Sequence, residues 1–191
     1  PKGSNSRDVR ITPNDWKKIS AILNKCRNPL YNLIAELAIE TGMRQDELFR
    51  MTWKDIDLTS RKIAVKGKDT STVGQRKSRV VPLSLRATTL LSSLPRHIDN
   101  TIPVFNSIHK TSADGLSRAF TAACAEIGLS GGCFHSTRHE AASRLAPHYP
   151  MLTLMKIFGW TTPSMAGRYY HASDQDLLAG VDNMQKLAGA A

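Results

Sequence analysis

The stretch NPLYNLIAELAIETGMRQDELFRM, residues 28–51, limits the possible fold most strongly. Leu30, Leu33, Ile34, Leu37 and Ala38 recur at helical spacing, so one apolar face must be covered by the rest of the chain. Gly42 ends that helix, and a second begins at once with Leu48 and Met51 on its buried side. The period then changes. Ile63 and Val65 alternate with Lys62, Ala64 and Lys66, and SRVVPL comes after them, which predicts an antiparallel hairpin with a short third strand near residues 55–58. The connecting stretch DTSTVGQRK is polar. From residue 84 onward the pattern is helical again: SLRATTLLSSL, TSADGLSRAFTAACAEIG closed by Gly128, HSTRHEAASRLA, and the short apolar MLTLMKIFG. TPSMAGRYYH opens with Thr162 as N-cap and Pro163 at the first helical position, and this predicts a helix carrying both tyrosines. Ser173 and Asp176 form a capping box for a last helix. The fold class is therefore mainly α with one small antiparallel β-sheet, an α+β domain with no internal boundary.

Composition narrows the function classes. Among 191 residues, 26 Lys and Arg oppose 16 Asp and Glu, a net charge of +10, which favours a polyanionic partner. No basic amphipathic helix stands out, so nucleic acid is preferred to a membrane surface. There is no apolar run of 18 or more residues, and PKGSNSRDVR is too polar for a signal peptide. Residues 1–10 read as a linker, and the absence of an initial Met suggests a piece of a longer protein. Cys26, Cys124 and Cys133 are too few and too scattered for a disulfide framework, and this suggests a reducing compartment.

Four groups of residues could carry chemistry. Arg44 and Glu47 are three apart at a helix start and share a face; by itself such a pair is an ordinary surface ion pair. His135, Arg138, His139 and Ala142 fall on one helical stripe, joining imidazole to a guanidinium fork suited to phosphate. His135 and His139 have metal-ligand spacing, but Ser136 stands where a zincin needs Glu, so no metal is expected. Lys66, Lys77 and Arg79 on the hairpin are DNA-binding candidates, with Lys68 nearby; charges there also serve to protect a sheet edge. Tyr169 and Tyr170 are poor nucleophiles unless strong positive charge stabilises the phenolate, and an isolated pair of this kind is more often packing.

The order TGMRQDEL, KGK, RVVPL, HSTRH, FGW and RYYH resembles the catalytic domain of the tyrosine recombinases, also called phage integrases, from about Ile11 to His171. The resemblance implies a catalytic set of Arg44, Lys68, His135, Arg138, Trp160 and the nucleophile Tyr169, with Glu47 and His171 in support. Lys77 competes with Lys68 for the hairpin lysine. Trp160 stands where most members have histidine, and Tyr169, nine residues further on, has the family's spacing where Tyr170 does not. HSTRHE and FGW depart from the commoner His-Asp-Leu-Arg-His-Thr and Leu-Gly-His.

By this resemblance the chain is expected to act as a site-specific DNA recombinase of a phage or mobile element. Tyr169 would cleave and rejoin DNA through a 3′-phosphotyrosine, with His135 taking its proton and Lys68 protonating the leaving 5′ oxygen. No metal or cofactor is implied. The expected partners are double-stranded attachment sites, with accessory DNA-bending proteins, four protomers at a Holliday junction and a monomer when free, in the cytoplasm. The segment from Ser173 would either dock on a neighbour or close on its own core. Residues 11–191 would form the catalytic domain, without the family's N-terminal core-binding domain. A type IB topoisomerase-like enzyme and a catalytically decayed DNA-binding remnant are the competing expectations.

Overall fold

The computed structural model describes residues 9–67, 78–106 and 108–170. The hairpin positions Lys68 and Lys77, His171 and the Ser173–Asp176 capping box lie outside the described residues.

The chain opens with α1 (Pro13–Leu23), α2 (Leu30–Thr41) and α3 (Gln45–Arg50). A 3₁₀ turn, Trp53–Asp55, leads into strands β1 (Ile56–Asp57), β2 (Lys62–Val65) and β3 (Arg79–Pro82). Helices α4 (Leu85–Ser92), α5 (Ala113–Glu126), α6 (Ser136–Leu145), α7 (Met151–Phe158) and α8 (Pro163–Gly167) complete the described chain. The sheet is antiparallel in the order β1-β2-β3, with Ile63 opposite Val81 and Val65 opposite Arg79. In β2, Ile63 and Val65 are buried and Lys62 and Ala64 exposed, the two-residue alternation a half-covered sheet requires.

Helix α1 has a signal that the periodicity of the rest overshadows. Thr12 and Asp15 form a reciprocal capping box, and Pro13 occupies the first turn where its missing N–H costs nothing. Helix α2 stops where expected. Gly42 adopts the left-handed conformation at φ 62°, and its N–H bonds back to the Ala38 carbonyl. A side chain at this position would also collide with Phe158, because a Cβ would lie 2.5 Å from that ring. Gly42 therefore allows the turn and lets α7 approach.

Two apolar clusters hold the domain. The larger joins α1–α5, the sheet and Phe134 through residues such as Ile34, Leu37, Leu48, Ile63, Leu91 and Phe120. The smaller consists of Ala141, Ala142, Ala146, Leu154, Ile157 and Phe158, with Trp160, Tyr169 and Tyr170 packed against it half-buried. Helix α6 lies against α2, and α7 against β3 and α8, so the smaller cluster is a layer laid over the larger one.

The C-terminal end departs from the sequence expectation. Helix α8 closes at Gly167, and Tyr169 and Tyr170 occupy the turn beyond it, with N–H groups bonded to the Ala166 and Gly167 carbonyls. Glycine is a weak helix former, by about 1 kcal/mol relative to alanine, and nothing in this short helix offsets it. The directions of the two tyrosines are thus set by a turn, not by helical geometry.

Candidate active site

The buried carboxylate of Glu47 organises one side of the site. It occupies the third position of α3, where its Oε2 accepts the Arg44 backbone N–H at 2.8 Å. Its Oε1 accepts from Arg44 Nη1 at 3.1 Å. Arg79 comes from β3 and closes a two-pronged bridge, Nη1 to Oε1 at 2.8 Å and Nη2 to Oε2 at 2.7 Å, while its Nε donates to the Ile157 carbonyl at 2.8 Å. Burial alone would raise the Glu47 carboxyl, but bonds and charge from Arg79 and then Arg44 outweigh it and bring the group down to about 2. This is not the surface pair that spacing alone suggests, because Glu47's side chain is only 2% exposed. Arg79, one of the DNA-binding candidates from the sequence, is the second partner of this carboxylate. The Arg79 side chain, 10% exposed, is committed to Glu47 and to the end of α7. Lys66 is paired with Asp55 at 2.8 Å but stays largely exposed.

Arg138, at 4% exposure, is held differently. Its Nη1 donates to the Gly42 carbonyl at 2.5 Å and its Nη2 to the Phe158 carbonyl at 2.6 Å. Its guanidinium carbon lies 4.8 Å from the Phe158 ring centroid and 5.7 Å from that of Trp160. Carbonyl dipoles and ring faces orient the cation but do not neutralise it. Burial, then the charges of Arg44 and Arg79, lowers the guanidinium to about 9, still a cation at neutral pH.

Around Arg138 opens a cleft of about 220 Å³ lined by His135, His139, Trp160, Met165, Arg168 and Tyr169. Gly159 turns the chain at φ 63° and delivers Trp160 onto Phe158, with ring centroids 4.6 Å apart. Tyr169 also stacks on Trp160, with centroids 5.4 Å apart and planes 4° from parallel. These stacked contacts restrain the Tyr169 ring, and its Oη lies 2.5 Å from Nδ1 of His139. His135 packs edge-on against His139 at 5.0 Å. Desolvation by its surroundings, then the charges of His139, Arg138 and Arg44, lowers the His135 imidazole and favours its neutral form. Tyr170 turns the other way: its hydroxyl donates to the Tyr149 carbonyl at 2.6 Å, and burial raises its phenol.

The structure thus brings His135, Arg138, Trp160 and Tyr169 to one cleft. Arg44 is close enough to depress both His135 and Arg138. His139 is the residue that the sequence places on the right stripe without giving it work. Its sequence signals are its spacing from His135 and its place as the second histidine of HSTRH; its contact with Tyr169 spans 30 positions and is not visible there.

The sequence pattern of the phage integrase family matches residues 9–176. The chain belongs to that family. Among curated proteins, it is 29% identical over 184 residues to a shufflon-specific DNA recombinase of Escherichia coli, covering 95% of this chain and 45% of the relative. It is 24% identical to the integrase of Salmonella phage P22, covering 99% and 50% respectively. The chain therefore spans about half the length of these relatives. The fold is that of phage integrase catalytic domains. It is similar to the catalytic domain of bacteriophage HP1 integrase, with TM-score 0.67, 24% identity, and coverage of 91% of this chain and 94% of that one. It is also similar to the Tn1549 transposon integrase in complex with transposon right end DNA, with TM-score 0.72, 18% identity, and coverage of 97% and 68%. No helix among the described residues is long and apolar enough to cross a membrane.

Proposed function

We propose that residues 11–191 are the catalytic domain of a site-specific DNA recombinase that cleaves one strand of its attachment site through Tyr169. The observation that carries this reading is a buried, unneutralised Arg138 in the same cleft as a fixed tyrosine hydroxyl. A cation held by carbonyl dipoles and ring faces is poised for an anion, and a phosphodiester supplies one. Both curated relatives bear recombinase or integrase names, and the Tn1549 neighbour was solved with DNA.

In this mechanism Tyr169 Oη attacks the scissile phosphorus. The Oη–P bond forms and the bond from phosphorus to the 5′ oxygen breaks, leaving a 3′-phosphotyrosine and a free 5′-hydroxyl. Arg138 and Arg44 stabilise the charge on the non-bridging oxygens, an effect worth most in a site shielded from water. Glu47 and Arg79 hold Arg44 and the end of α7 in register, so the Arg44 fork is set before DNA arrives. Neutral His135 donates a hydrogen bond to a phosphate oxygen. Trp160 cannot shuttle a proton, and its contribution is the stack that orients the nucleophile. Lys68 protonates the leaving oxygen, with Lys77 as its competitor; His171 supports the nucleophile's segment. The ester retains the bond energy, so a second 5′-hydroxyl can reverse the step on a partner strand without ATP, and two rounds through a Holliday junction in a tetramer recombine two duplexes. Lys66 contacts the DNA backbone.

The test is incubation with a nicked duplex taken from repeats flanking the gene. An SDS-resistant protein–DNA adduct is expected, with loss of the adduct in Arg138→Ala. Full cleavage in that variant would end the proposal. Because phosphate contacts dominate, binding should weaken steeply from 50 to 200 mM salt, about 10³-fold or more for six or more phosphates; affinity independent of salt would contradict it.

A further inference from the structure

We propose that His139, not His135, is the base that takes the Tyr169 phenol proton and returns it on rejoining. This rests on the recombinase reading above and assigns a further catalytic residue to it.

Nδ1 of His139 lies 2.5 Å from Tyr169 Oη, within the reach that proton transfer demands. Tyr169 cannot easily turn to another partner, because its ring is flat against Trp160, itself flat against Phe158. His135 forms a T-shaped pair with the His139 ring, centroids 5.0 Å apart. It also stands at the N-cap of α6, where the helix dipole opposes a second positive charge, while His139 is one turn inside. With its proton on Nε2, His139 presents the Nδ1 lone pair to the phenol, which donates to it. The chemistry balances: as Oη bonds to phosphorus, its proton passes to Nδ1, and a separate proton reaches the leaving 5′ oxygen. The resulting imidazolium is the acid for the reverse step, where the tyrosine oxygen is the leaving group. Arg138, next to His139 in sequence, senses the Tyr169 charge and stabilises the phenolate as it forms.

Single-turnover cleavage by the full-length protein separates the alternatives. The probes are two nicked duplexes from the flanking repeats, one normal and one with sulfur in place of the scissile 5′ oxygen. The sulfur leaves without being protonated, so it rescues a missing acid on the leaving-group side but not a missing base at the nucleophile. His139→Gln should cleave both duplexes about 100-fold more slowly than the parent, with unchanged DNA affinity. A rate within threefold of the parent, or rescue by sulfur, overturns the assignment. His135→Gln should be less impaired; a larger defect there, not rescued by sulfur, returns the base role to His135. If the parent forms no adduct, the recombinase reading itself fails, and an adduct in the parent with an unaffected His139→Gln defeats only this proposal. A readout that does not depend on the folding of His139→Gln is the ¹⁵N resonance of His139 Nδ1 with and without Tyr169→Phe. It should move when the phenol is removed, and an unchanged resonance also overturns the assignment.

Discussion

Arg79 and Arg138 are both buried guanidiniums at the end of α7, and the molecule treats them in opposite ways. Around Glu47, Arg79 meets a carboxylate through two prongs and Arg44 shares the same group. In the cleft, Arg138 meets the Gly42 and Phe158 carbonyls and two ring faces. The first corner is anchored on a carboxylate, one negative charge against two guanidiniums, and acts as a clamp between α3, β3 and α7. The second is oriented yet still charged.

The largest effect should come from breaking the clamp. Glu47→Ala leaves two guanidiniums without their carboxylate and should cost about 3–5 kcal/mol in chemical denaturation, the range for an orphaned buried charge. A loss under about 1 kcal/mol, the range of a surface pair, would mean the Glu47 corner is not a clamp. Arg138→Met should cost less, about 1–3 kcal/mol, because it removes an unneutralised cation and deserts only two carbonyls. Cleavage should nonetheless fall by about 10²–10³-fold. Equal stability losses in the two variants would erase the distinction between the corners.

Acid separates the two corners as well. The Glu47 carboxyl is lowered from an ordinary 4.5 to about 2, so its contribution is complete above 4.5 and is lost as the pH falls towards 2. A melting series from pH 6 to pH 2 should show this loss in the parent and a shallower one in Glu47→Gln; identical slopes would contradict the assignment. Smaller still is the effect of inorganic phosphate. At ten times its dissociation constant it should stabilise the parent by about 1.4 kcal/mol and leave Arg138→Met unmoved. Stabilisation of both alike would place the anion elsewhere.

Much of the scaffold was legible in local pattern. The spacing of Leu30, Ile34 and Leu37 and the stop at Gly42 predicted α2, and the alternation around Ile63 predicted the hairpin. Thr12, Pro13 and Asp15 marked α1 just as clearly, although a periodicity search passes over it. The site was legible as a set of residue types in order, but not as a set of contacts. Arg79 looks like any hairpin cation until folding brings it to Glu47, 32 positions away. His139 looks like a stripe neighbour of His135 until the turn after α8 swings Tyr169 onto it. That turn was missed because the cap at Thr162 predicts a helix start and says nothing of its length, which Gly167 decides. Burial is the other quantity that spacing does not encode: Arg44 and Glu47 have the separation of a solvent-exposed pair, yet the Glu47 carboxylate lies at core depth.

The two adjacent tyrosines are likewise unequal, Tyr169 on the cleft and Tyr170 tied to the Tyr149 carbonyl. Tyr170→Phe should lose only that hydrogen bond, about 0.5–1.5 kcal/mol, and keep full cleavage. The direct measurement is peptide mapping of the covalent adduct formed on nicked attachment-site DNA. The phosphonucleotide is expected on Tyr169, with no adduct in Tyr169→Phe; a label on Tyr170, or an adduct that survives Tyr169→Phe, would refute the assignment of the nucleophile.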